Sequence, residues 1–145
     1  MDTLIKDVYD VLANKTENEL PSEDKLVKYQ NTYRMESKNP FNENKALTII
    51  KNETMKHLNN ETKYDPDEAT KIAATMSLRI RDGIYDLDFE RYKIVCIVEI
   101  GEKKDQGIMS IARFLRDFNK DKYVYSNFEN HNLFATIMVG AFYYE

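Results

Sequence analysis

The chain has 145 residues, of which 42% are hydrophobic and 32% charged, a size and balance that suit one folded globular domain and leave little room for a second. Its 21 Lys and Arg against 25 Asp and Glu give a net charge of -4, so no summed field draws it onto a polyanion, and nucleic acid is excluded as an expected partner. No apolar run approaches the roughly 20 residues of a membrane span, and a single cysteine, Cys96, excludes an internal disulfide.

The first residues, MDTLIKDVYDVL, are acidic and lack the basic, then apolar, then small-residue order of a secretory signal. With the lone cysteine, this points to a reducing intracellular compartment, in which the Asn-x-Thr triplets at Asn14, Asn52 and Asn60 go unglycosylated. Leu4, Ile5, Val8, Val11 and Leu12 fall on one side of a short helix, and the polar run from Asn14 to Asp24 reads as a linker. Residues 1–30 are therefore expected to be an N-terminal extension and residues 31–145 the domain proper. Between Asp24 and Lys38 the alternation is patchy, and the segment reads as extended up to Asn39-Pro40.

A helical period then sets in over about residues 42–59, with Leu47, Ile50, Thr54 and Leu58 in one stripe that Ala46 and Ile49 widen. The string Asp65-Pro66-Asp67-Glu68 supplies an N-cap, a proline at the first helical position and a glutamate at the third, so a second helix begins at Pro66. Ala69, Ile72, Ala73, Met76, Ile80 and Ile84 carry its apolar stripe to about Tyr85.

From Arg91 the period becomes two. RYKIVCIVEI is apolar on both faces, which suits a central strand, and IMSIARFLRDF, YVYSNF and LFATIMVGAFYYE read as three further strands. Ten Tyr and seven Phe, many in the last third, agree with a β-rich C-terminal half. Short connections predict antiparallel pairing of successive strands, so IGEKKDQGI, residues 100–108, reads as the turn of a hairpin. It is not a phosphate loop, because Gly107 is followed by Ile108 and Met109 rather than Lys and Ser or Thr. The expected fold is α+β: two long helices on a four-stranded antiparallel sheet.

Little in the chain supports catalysis. Asp117, Asn119 and Asp121 copy the first ligand positions of a calcium loop, but Lys122 and Phe128 stand where that loop needs Gly and Glu, and a plain turn accounts for the same residues. Asp86, Asp88 and Glu90 gather carboxylates with neither histidine nearby in sequence, which fits a solvated linker better than a metal site. Cys96 between Val95 and Ile97 is expected to be a buried, inert thiol rather than a nucleophile served by His57 or His131. No catalytic residue, metal ligand or cofactor site is expected. Binding is better supported, because Ile108–Phe118 has large apolar residues on both faces: Met109, Ile111 and Leu115 on one, Ile108 and Phe114 on the other. Helices can cover only one face of a sheet, so the other requires a partner, with Arg113 and Arg116 suited to a polar rim.

Over about residues 31–145 the chain resembles the Tctex-type dynein light chains, through NTYRMESKNPF, YDPDEATKIAATMSLRIRDGI, RYKIVCIVEIGEKKDQGI and NHNLFATIMVGAFYYE. It departs from the family's pattern at Arg116, where members commonly carry Trp. The resemblance implies a non-catalytic, strand-exchanged dimer without cofactor, in which Ile108, Met109, Ile111, Arg113, Phe114 and Leu115 form the dimer interface. It further implies a groove near Arg116, Tyr123, Tyr125 and Phe128 that holds an extended segment of a dynein intermediate chain.

The N-terminal extension and the ending Phe-Tyr-Tyr-Glu are more similar to the Tctex2-like branch than to the shorter cytoplasmic one. On this reading the partners are an intermediate chain, another Tctex-type chain or a second copy, and indirectly a dynein heavy chain, with no membrane involved. The expected location is the cytoplasm and cytoskeleton, at a ciliary axoneme in outer-arm dynein. Two alternatives remain: a light chain of ciliary-transport or cytoplasmic dynein, and a dynein-independent peptide-binding adaptor.

Overall fold

The computed structural model describes residues 36–113 and 117–144. The expected N-terminal extension, residues 1–30, and most of the extended stretch before Asn39 lie outside the described residues, as do Phe114, Leu115 and Arg116.

Helix α1, Glu43–His57, starts where the Asn42 side chain accepts a hydrogen bond from the Lys45 amide at 3.0 Å. It buries Ala46, Ile50 and Thr54 and ends with Lys56 and His57 in its last turn, where cations suit the helix dipole. The Thr54 hydroxyl, buried in the core, donates back to the Ile50 carbonyl at 2.7 Å and so costs no orphaned polar group. Helix α2, Pro66–Tyr85, begins on Asp65, whose carboxylate accepts from the amides of Asp67 and Glu68, each at 3.0 Å. Ala69, Met76, Ile80 and Ile84 are buried along it, as the sequence stripe predicts, while Ile72 and Ala73 are half-buried at its margin. The helices approach closely at Gly83, where an added Cβ would stand 3.1 Å from Ile49 Cγ2.

Three antiparallel strands follow: β1, Tyr92–Glu102; β2, Lys122–Glu129; and β3, Leu133–Tyr143, in the order β1-β3-β2. This departs from the expected four-stranded arrangement of successive hairpins. β3, not β1, is central among the described residues, and both of its edges are occupied, by β1 from Tyr92↔Tyr143 to Glu102↔Leu133 and by β2 from Lys122↔Ala141 to Glu129↔Phe134. Residues 108–113 pair with none of the described strands, and they run as irregular backbone. The loop between Gly101 and Gly107 is accordingly not a hairpin turn; it leaves the sheet after the Lys103 amide donates to the Asn132 carbonyl at 2.9 Å.

β1, read from its sequence as buried on both sides, is an edge strand with one covered face. α2 packs along β1 and α1 along β2, and the core between them holds Ile50, Met76, Ile80, Ile84, Leu133, Ile137 and Val139, all essentially inaccessible. Each such side chain contributes roughly 1.5–3 kcal/mol by leaving water.

Two polar ties fix the ends of this layer. At one, Asn39 donates through its amide to the Asp88 carbonyl at 2.7 Å and accepts from the Glu90 amide at 3.1 Å, while the Glu90 carboxylate accepts from the Lys38 amide at 2.7 Å. The chain turns from α2 into β1 there through left-handed backbone at Asp88 (φ 54°) and Arg91 (φ 64°). At the other, the Asn130 side chain accepts from the amides of Asn132 and Leu133, both at 2.8 Å, and donates to the carbonyls of Asn59 at 3.0 Å and Thr62 at 2.9 Å. One buried side chain thereby joins the β2–β3 turn to the connection between the helices.

Candidate functional site

The face of the sheet away from the helices is built by odd-numbered positions of β1 and β2 and even-numbered positions of β3, because side chains alternate along a strand. Pairing sets them in rows: Val95, Gly140 and Tyr123; Ile97, Met138 and Tyr125; Glu99, Thr136 and Asn127. The first two rows are apolar and open. Val95 is 45% and Ile97 42% exposed, and Tyr123 and Tyr125 more so, around Met138 and a Gly140 that leaves no side chain between its neighbours. The next row is polar. In the row beyond, the Phe134 ring lies over Gly101, so closely that a Cβ there would enter the ring's van der Waals surface. The Lys103 ammonium pairs with the Glu129 carboxylate at this end, and that contact holds the Glu129 carboxyl below its ordinary range. Lys104 is raised by its hydrogen bond with Glu102, 2.8 Å away.

Residues 108–113 border this face and with it enclose an open cleft of about 1200 Å³ that reaches the start of α1. Ile108, Met109 and Ile111 are exposed, Met109 at 84% and Ile111 at 80%, and Arg113 is exposed beside them. The Ser110 hydroxyl ties the segment to the sheet, 2.7 Å from both oxygens of the Glu99 carboxylate. Past the segment, Phe118 is exposed as well.

The expected site residues thus divide. Ile108, Met109, Ile111 and Arg113 share one exposed segment, and Tyr123 and Tyr125 stand side by side on the outer face next to it. Phe128 does not join them, since an even position of β2 faces inward, where it is half-buried against the core. Phe114, Leu115 and Arg116 fall outside the described residues. Val95, Ile97 and Met138 share this face without being among the expected residues; for Val95 and Ile97 the signal is the second apolar face of RYKIVCIVEI, and for Met138 the alternation of LFATIMVGAFYYE.

Cys96 lies on the inner face, and burial pushes its thiol up to about 12 despite the opposing charge of Arg81, so the nucleophilic thiolate is suppressed. His57 closes α1 and His131 lies in the β2–β3 turn, which the strand register puts roughly 20 Å along β3 from the Cys96 pairing position. Asp117 accepts from the Asn119 amide at 2.9 Å and Asp121 from the Tyr143 amide at 2.9 Å, the bonds of a turn and a strand end. Among the described residues no group of three or more His, Cys, Asp or Glu is placed to hold a metal. None of the described helices is long and apolar enough to cross a membrane. What the arrangement can do is bind: an apolar sheet face, the edge strand β2 and an exposed apolar segment lie together among the described residues.

Comparison with known proteins gives a concordant result. Residues 40–142 match the Tctex-1 family. The chain is 34% identical over 98 residues to the dynein light chain Tctex-type protein 2B of Mus musculus, covering 67% of this chain and 65% of the relative. It is 34% identical over 82 residues to the Homo sapiens protein of the same name, covering 56% and 58%. To the dynein light chain Tctex-type 5-B of Xenopus laevis it is 32% identical over 116 residues, covering 80% and 65%. The matched region therefore spans less than two thirds of the length of each of these relatives.

Proposed function

The chain belongs to the Tctex-1 family, and on that premise we propose that it is a non-catalytic light chain of a dynein motor, acting as one half of a dimer that holds an extended segment of a dynein intermediate chain. The observation that carries the reading is the open apolar face around Ile97, Met138 and Tyr125, lying beside a segment, Ile108–Arg113, that pairs with none of the described strands. In the dimer that segment, continued through Phe114 and Leu115, adds as a strand to the sheet of the other protomer. The outer edge of β2 is the natural acceptor, because both edges of β3 are occupied. Exchange gives the backbone of the segment a strand partner, and the protomer that receives it is thereby held against the exposed face.

The intermediate-chain segment then lies along the outer side of the exchanged strand, near Arg116, Tyr123 and Tyr125, with Phe128 supporting the same strand from the inner face. Backbone pairing supplies most of the affinity in such strand addition and side-chain pockets the selectivity. Residues 31–145 form the light-chain domain, and residues 1–30 an extension that docks elsewhere on the motor. The partner protomer is a second copy or another Tctex-type chain, and the heavy chain is reached through the intermediate chain. The similarity to relatives named 2B supports a reading nearer the Tctex2-like branch, and with it an axonemal outer-arm motor on the ciliary cytoskeleton.

Leu115→Asp tests the dimer, since it places a charge within the exchanged strand. Sedimentation of the variant is expected to give monomers or aggregate; a stable dimer would refute the exchange. Mass spectrometry of proteins that copurify with the tagged chain under native conditions tests the motor assignment, with dynein intermediate and heavy chains expected and their absence counting against it.

A further inference from the structure

The sheet has a second edge, formed by β1 on the far side of β3 from β2. The pairing of β1 with β3 runs unbroken from Tyr92↔Tyr143 to Glu102↔Leu133. The same register bonds the Tyr144 amide to the Arg91 carbonyl at 3.0 Å and the Lys103 amide to the Asn132 carbonyl at 2.9 Å. Antiparallel ladders alternate, so odd positions of β1 turn their N–H and C=O groups to β3, and those of Tyr92, Ile94, Cys96, Val98 and Ile100 point away from the sheet. Among the described residues no strand lies on that side. The Tyr85 hydroxyl accepts from the Ile94 amide there, at a long 3.4 Å and from a half-exposed side chain. From Tyr92 to Ile100 the edge carries no proline and no inward charge, the devices that keep another strand off.

This strand is complementary to itself. Its exposed residues are Lys93, Val95, Ile97 and Glu99. When two copies lie antiparallel about a two-fold axis at Cys96, Lys93 stands opposite Glu99 and Val95 opposite Ile97, each twice, and on the inner side Ile94 meets Val98 and Tyr92 meets Ile100. The outward backbone groups of the two strands then face each other as hydrogen-bonded pairs. Moving the axis by one residue sets Lys93 against Ile97 or Glu99 against Val95. We propose that the outer edge of β1 is a self-association surface, at which a second copy of this chain adds its own β1 antiparallel, centred on Cys96. Tyr85 swings aside as the Ile94 amide takes the Val98 carbonyl of the second copy. The Glu99 carboxylate has lone pairs enough for both the Ser110 hydroxyl and a lysine, so the pairing does not depend on where residues 108–113 lie. It goes beyond strand exchange, which uses the edge of β2, and links exchanged dimers to one another. A single strand pair buries less than about 1,200 Å² and is reversible on dilution, so dilute samples report exchange alone.

Sedimentation of the full chain over a range of concentration tests the proposal. The wild-type chain is expected to grow from its dilute species to larger ones as concentration rises. Lys93→Glu sets carboxylate against carboxylate at both ends of the pairing, and Glu99→Lys sets ammonium against ammonium. Each variant alone is expected to weaken the growth about tenfold or more. Mixed in equal amounts, the two are expected to associate with each other, because every opposed pair then carries one charge of each sign. Growth unchanged in both single variants, or a mixture that stays as small as its components, overturns the proposal. Amide hydrogen exchange locates the contact: the amides of Cys96 and Val98 are expected to slow at high concentration in the wild-type chain and to stay fast in Lys93→Glu. Slow exchange of both at every concentration means that the chain covers its own edge, and overturns the proposal as well. Leu115→Asp changes the dilute species and leaves the growth, whereas Lys93→Glu leaves the dilute species and removes the growth, so exchange and edge pairing fail separately.

Discussion

The two faces of the sheet are made by the same strands and are similarly apolar along most of their length, yet they meet different environments. On the inner face Ile94, Val124, Ile137 and Val139 are closed over by α1 and α2. On the outer face Val95, Ile97, Tyr123 and Tyr125 stand open in a single chain. Burial is therefore set by how many layers are supplied, and the described residues supply one. The inner face stabilises the protomer; on the proposed reading the outer face stabilises an assembly.

Substitutions on each face sharpen that contrast. Ile137→Ala, which opens a cavity under both helices, is expected to cost about 2–5 kcal/mol in urea denaturation whatever the protein concentration. A smaller effect comes from Cys96 at alkaline pH. Its folded thiol is raised to about 12 from an ordinary 9.0, so its contribution is fully present below about pH 9 and is lost as pH rises toward 12. Replacing it in Cys96→Ala should flatten the alkaline fall in stability by up to about 1 kcal/mol per pH unit between pH 9 and 10. Smallest in the protomer is Ile97→Ala, expected to change its stability by about 0.5 kcal/mol or less. That same variant should weaken self-association in sedimentation, and a large, concentration-independent loss would mean that the outer face is already part of the protomer's core.

Local order was legible in the sequence and partnership was not. The Asp65-Pro66 start and the Tyr85 end of α2 follow from capping chemistry and a 3.6-residue period, both contained in adjacent residues. The span of β3 follows equally from alternation. Strand order is a different quantity, because nothing in RYKIVCIVEI states whether it pairs with the next segment or with Leu133–Tyr143, about 30 residues on. Double-sided apolarity of β1 signals two covered faces but not whether the second cover belongs to the same chain. Of the residues expected to line one groove, Tyr123 and Tyr125 share the outer face, whereas Phe128, three residues beyond Tyr125, falls on the opposite face by the parity of a strand. The Ser110–Glu99 contact, 11 residues apart and across an irregular loop, has no periodic signature at all.

The central position of β3 has a consequence for how the protein is made. β1 and β2 each find their strand partner in β3, so no part of this sheet can form until Leu133–Tyr143 has been synthesised. At about 5–20 residues per second, the stretch from Glu102 to Tyr143 takes roughly 2–8 s to complete. Throughout that interval Ile94–Val98, apolar on both faces, has left translation without a strand to bind it, the kind of segment that seeds intermolecular pairing. The last strand thus sets the clock for the domain, and the nascent chain's exposure to chaperones is fixed by topology before any partner subunit is encountered.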